Sequence, residues 1–202
     1  LPIVCYSQDN TLLLKSGNFQ FSKDLELVNS NDTNYYFIFF SEIPTESEKM
    51  KIMDLGLEFL EYIPNRAFVV SIPKDFNISL LSDYEILGIS HVKPYHKIDP
   101  KLQNDNFPSW SLINNRLFVK VLLYKNVNIS VFNKYLLDNG YKINELNVFG
   151  NSVTLSINPV DLSKLSEINE IWYIEPIDPP GFPENKTART LHRSNVINTN
   201  YS

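Results

Sequence analysis

The chain has 202 residues, a formal net charge of −5 and an ordinary apolar content, enough for one large domain or two small ones with a real core. The mild acidity and the lack of a basic block exclude the charge pattern of a nucleic-acid binder. No apolar run approaches the roughly 18 residues of a membrane-spanning helix, and Cys5, the only cysteine, leaves no intrachain disulfide and no cysteine-ligated zinc site.

Residues 1–8 run from apolar to small and polar. They read either as the remnant of a signal peptide, which places the protein outside the cell or at its surface, or as an ordinary terminus. Residues 1–33 form a preface. Within it, Leu12, Leu13 and Leu14 and then Phe19 and Phe21 flank a turn at Lys15, Ser16, Gly17 and Asn18, the pattern of a hairpin.

A first module is predicted over 34–100. Residues 35–40, aromatic and β-branched throughout, read as a central strand. A helix follows Pro44, with Thr45 and Glu48 at capping-box spacing, Met50 and Met53 as its buried stripe and Gly56 as its C-terminal cap. Strands are expected over 57–63 and 67–72, around a turn at Pro64, Asn65 and Arg66. A second helix is expected over 75–87, with Phe76, Leu80, Leu81, Tyr84 and Leu87 on one side and Gly88 ending it. A last strand covers 89–94.

A linker over 101–115 separates this from a second module over 116–176, and Trp110 is the candidate that ties the linker down. The second module repeats the order: a strand over 116–124; a helix over 128–139 with Ile129, Phe132, Tyr135 and Leu136 inward; and strands over 141–149 and 152–157. A helix begun by Asn158 and Pro159 and a strand over 171–175 complete it. Ile89 and Pro94 align with Ile171 and Pro176 at one offset, so the chain reads as a duplication. The predicted fold class is α+β: two tandem ferredoxin-like (βαββαβ) modules with an N-terminal preface and an extended C-terminal tail over 177–202.

No catalytic constellation emerges. His91, His96 and His192 sit in no nucleophile or metal pattern, and glycine-rich phosphate loops are missing. Asn-x-Ser/Thr triplets, such as those at Asn31, Asn77, Asn128 and Asn185, occur in an Asn-rich chain and carry no assignment. No cofactor or metal is expected. The features left for function are a sheet face free to dock, aromatic anchors at Trp172 and Tyr173 on opposite faces of the last strand, and a proline-ordered exit segment. Candidate partner-binding residues are Trp172, Tyr173, Glu175, Pro176, Asp178, Pro179, Pro180 and Phe182.

The run Glu175-Pro176-Ile177-Asp178-Pro179-Pro180, followed by Asn185-Lys186-Thr187-Ala188-Arg189 and Leu191-His192-Arg193-Ser194-Asn195, resembles the N-terminal propeptide region of secreted bacterial subtilisin-like serine proteases. The resemblance implies a folding assistant and temporary inhibitor whose partner is a subtilisin-like catalytic domain in cis. The catalytic triad would lie beyond Ser202, so the segment itself has no enzymatic role. Two modules in place of one depart from that family's pattern, and the second, adjoining the tail, is the expected docking module. Rival readings are a stand-alone tandem binding module and an accessory region retained by a secreted enzyme.

Overall fold

A computed structural model describes residues 11–21 and 34–179. It is mixed α+β, with largely antiparallel sheets and few helices. Strands β1 (Thr11–Leu14) and β2 (Gly17–Gln20) form the hairpin expected from the leucine and phenylalanine runs. Then come β3 (Asn34–Phe40), α1 (Glu46–Asp54), β4 (Glu58–Ile63), β5 (Ala67–Ile72) and β6 (Ile86–His91), whose sheet has the order β4-β5-β3-β6. Two short 3-10 turns, Pro94–Lys97 and Pro100–Asp105, lead to β7 (Leu112–Ile113) and β8 (Arg116–Leu123). The remaining elements are α2 (Ile129–Asp138), β9 (Lys142–Asn147), β10 (Ser152–Ile157), α3 (Leu162–Ser166) and β11 (Ile171–Pro176). The second sheet runs β11-β8-β10-β9, with β7 paired to the start of β8.

Strand β3 is buried along its whole length, because both faces of its sheet are covered. Tyr36, Ile38 and Phe40 pack with Ile52 of α1 and with Phe68, Val70 and Ile89. Tyr35, Phe37 and Phe39 point the other way, as the period of two requires, and meet Leu12 and Phe21 of the hairpin segment. The hairpin is therefore a lid on the first sheet rather than a detached preface. Asn65 donates to the Thr11 carbonyl at 3.2 Å, and Ser16 donates to the His96 carbonyl at 2.6 Å. Asn65 and Arg66, which turn β4 into β5, both take positive φ. The core of the second half gathers Leu117, Val119, Val121 and Leu123 of β8 with Val153 and Leu155 of β10, under Phe132 and Leu136 of α2 and Leu165 of α3.

Several expectations need correction. The capping box is present: the Glu48 carboxylate accepts from the Thr45 N–H at 2.7 Å, and the Thr45 hydroxyl accepts from the Glu48 N–H at 3.3 Å. Yet Met50 and Met53 are exposed, and Ile52 is the residue α1 buries. A nine-residue helix meets the sheet along little more than one turn, so a single side chain suffices. No helix covers 75–87. That segment holds only a 3-10 turn, Ile78–Leu81, where the Asn77 side chain accepts from the Ser79 N–H and hydroxyl. Asn and Ser side chains compete with helical hydrogen bonding, and this stretch is rich in such residues. Leu81 is buried and Leu80 is not, and Gly88 lies inside β6 opposite Phe39 instead of capping a helix. In α2, Ile129, Phe132 and Leu136 turn inward while Tyr135 faces solvent.

Candidate partner-binding site

The last strand, β11, is the frame for every candidate residue within the described part of the chain. Its register with β8 slips between Ile171 and Tyr173, so Trp172 occupies a bulge. A bulge re-aims its side chain, and Trp172 does not simply oppose Tyr173 across a flat strand. It packs instead on the cluster that covers the first sheet, with its ring 5.4 Å from that of Tyr124. Tyr173 is buried. Its hydroxyl donates to the Asp99 carboxylate at 2.9 Å, and the Lys15 ammonium stands 5.5 Å above its ring. Burial, then the bond to Asp99 and the charges of Asp99 and Glu175, push the Tyr173 hydroxyl well above its ordinary pKa. Both aromatics thus join parts of this chain to one another.

Glu175 faces Lys120 of β8 at 3.6 Å, and Pro176 closes β11 opposite Val119. Ile177 prolongs the strand direction: its N–H reaches the Phe118 carbonyl at 3.5 Å, and its own carbonyl accepts from the Trp110 indole at 3.0 Å. Trp110 therefore fastens the linker to the exit segment. Asp178 and Pro179 follow, exposed and outside any helix or strand. Pro180 and Phe182 lie outside the described residues.

Among the described residues neither sheet shows an uncovered apolar face. On the first, the hairpin together with Tyr124, Val127 and Trp172 occupies the face away from α1. On the second, the face away from α2 is half-buried and mixed. Phe118 and Leu122 alternate with Lys120, which is flanked by Glu175 on one side and by Thr154 and Glu145 on the other.

The two halves meet at a polar and aromatic seam. Tyr35 and Tyr124 stack with ring centroids 3.6 Å apart. The Tyr35 hydroxyl donates to the side-chain Oδ1 of Asn126 at 3.2 Å, and the Asn126 side-chain amide donates to Glu58 at 2.9 Å and to Ser71 at 3.2 Å. Burial, then the charges of Glu170 and Glu58, raise Tyr35 to about 12. The Tyr124 hydroxyl is buried with no hydrogen-bond partner among the described residues. Lys97 is buried beside this seam and donates to the Ile168 carbonyl at 2.9 Å; burial lowers it to about 8, with Glu170 opposing the shift. His96 sits among the rings of Phe19, Phe37 and Tyr95, and its Nδ1 accepts the Lys93 N–H at 3.0 Å.

Beside the seam lies a cleft of about 550 Å³. Leu60 and Tyr62 of the edge strand β4, Leu13 of the hairpin, Leu122, Trp172 and the turn residue Phe149 form its apolar walls. Phe149 is fully exposed at the rim. Sequence reading missed this cleft, since its walls come from five separated stretches. The one available signal was Phe149, an aromatic placed directly before the Gly150-Asn151 turn.

No helix among the described residues is long and apolar enough to cross a membrane. A family model described as a domain of unknown function, DUF8729, matches residues 12–96, which takes in the hairpin and the first sheet. No curated protein and no solved structure matches the chain.

Proposed function

We propose that the chain is the propeptide region of a subtilisin-like serine endopeptidase: a folding assistant and temporary inhibitor, built from two tandem ferredoxin-like modules, that performs no reaction itself. The observation that carries this reading is the exit of β11. The chain leaves the sheet still extended through Ile177, held by Trp110, and presents Asp178 and Pro179 to solvent. Extended, proline-ordered chain loses little entropy on entering a groove and can add as a strand beside a substrate cleft. The two sheet orders support the modular part. Numbered within each half, both read 4-1-3-2, the order of the split βαβ arrangement, although a 3-10 turn stands for the second helix of the first half.

The second half is the docking module in this account. Among the described residues both faces of the first sheet are covered, whereas the second leaves Phe118, Lys120 and Leu122 half-buried beside the exit segment. The partner is a catalytic domain encoded downstream in the same precursor, and secretion accompanies that role. Expressing the precursor and sequencing the termini of its products tests this. Cleavage between Pro180 and Asn200, ahead of a domain whose first catalytic Asp follows a glycine-rich turn and an apolar strand, is the expected result. An intact junction, or a downstream region without that triad, refutes it.

The cleft between the halves favours a second reading, a binding module that acts alone or stays attached to a secreted enzyme. That reading predicts an uncut junction and a ligand held by both halves.

A further inference from the structure

The cleft beside the seam has the size of a small-molecule site, about 550 Å³, and its walls are apolar on several sides. Leu13 and Leu60 line it from the first half and its hairpin, and Leu122, Phe149 and Trp172 from the second. Two ammonium groups stand among the lining residues, and they are not equivalent. Lys125 is neutralised by Glu61 at 2.8 Å. Lys15 has no carboxylate partner among the described residues; its ammonium rests over the Tyr173 ring at 5.5 Å. A cation held on an aromatic face at the edge of an apolar cleft keeps its charge directed and leaves its hydrogen-bond donors for an incoming anion. The Phe149 ring, wholly in water at the rim, would gain cover from an apolar occupant.

We propose that this cleft binds a small apolar monoanion, a carboxylate with an alkyl or aryl body. The body lies against Leu60, Leu122 and Trp172, the Phe149 ring closes over it, and the carboxylate pairs with Lys15. The charge complementarity selects this occupant: an uncharged apolar molecule would leave the Lys15 donors unused, and a dianion would find only one unpaired cation. The site does not need the exit segment, although it shares Leu122 with the face that the protease reading docks.

Isothermal titration of the full chain with decanoate, and separately with 1-decanol, tests the proposal. Saturable one-to-one binding of decanoate is expected, about tenfold tighter than that of decanol. Lys15→Met should remove that preference while decanol binding persists, and Leu122→Glu should abolish both. Tyrosine and tryptophan absorbance spectra at matched concentration check that each variant is folded, and Lys125→Met serves as the charge-matched control that keeps the preference. No saturable heat with decanoate overturns the proposal, as does a preference unchanged in Lys15→Met. Displacement of decanoate by a synthetic peptide of residues 180–202 would assign the cleft to the chain's own segment and also overturn it.

Discussion

Acidification should loosen the hairpin that covers the first sheet, and His96 is the reason. Its imidazole is enclosed by Phe19 at 4.7 Å, Phe37 at 5.2 Å and Tyr95 at 4.3 Å, and its Nδ1 accepts the Lys93 N–H at 3.0 Å. That bond needs the neutral ring, because a protonated Nδ1 would point a donor at a donor. Burial above all, then the charges of Lys93, His91 and Lys97, lower its pKa from 6.5 to about 4. Between those values the unfolded chain binds a proton that the native chain refuses. The His96 contribution to native stability is therefore fully present above pH 6.5 and is lost as the pH drops toward 4, by on the order of 3 kcal/mol in all. His91 is lowered too, chiefly by burial and then by Lys97 and Lys93, and adds to the same slope. Urea unfolding at intervals from pH 7.5 to 4.5, on the wild type and on His96→Asn, measures the effect. The variant keeps an acceptor near the Lys93 N–H, so it loses the slope as well as some baseline packing. Carboxylates titrate in both proteins and cancel in the difference. Parallel stability profiles for the two proteins would refute the reasoning.

Tyr124→Phe should leave the urea midpoint unchanged or raise stability by about 1 kcal/mol, since it removes a buried hydroxyl that has no partner among the described residues. Tyr35→Phe, which deletes the bond to Asn126, should cost about 1 kcal/mol in the same assay. Ile52→Ala should cost about 2–4 kcal/mol by thermal or urea unfolding, whereas Met53→Gln on the same helix should stay within about 0.5 kcal/mol. Trp110→Phe removes the indole bond to the Ile177 carbonyl and should speed proteolysis near residue 178, read by mass spectrometry, with little change in global stability.

Strong local signals survived folding, and weak ones did not. Thr45 with Glu48 satisfies free backbone donors at the start of α1, so sequence spacing alone located that helix start, whereas Asn158, read as a helix cap, caps a 3-10 turn (Pro159–Asp161) that precedes α3. The run at 35–40 announced a central strand, but not that both of its faces would be covered, since the hairpin that closes the second face arrives from a separate segment. The stretch 75–87 misled because Phe76, Leu80, Tyr84 and Leu87 fall at helical spacing while Asn77 and Ser79 supply a competing turn. Periodicity sees the first pattern and not the second. Met50 and Met53 fit helical spacing no worse than Ile52 does, because a nine-residue helix offers too few turns to fix its facing. At the candidate site, the strand that ends at Pro176 was legible from its apolar run and the prolines after it, and of the tail expected over 177–202 only 177–179 lie among the described residues. The bulge at Trp172, the pairing of Tyr173 with Asp99 and the cleft were not legible, since each depends on where a distant segment arrives.

The proposed inhibition of a subtilisin-like catalytic domain is tested most directly by titrating the purified 202-residue chain against the mature enzyme of the precursor that the proposal requires, with a chromogenic peptide as substrate. The account predicts competitive inhibition in the nanomolar range, about 12 kcal/mol of binding, that falls at least tenfold when the chain stops at Pro176. Full enzyme activity at every concentration of the chain would contradict it.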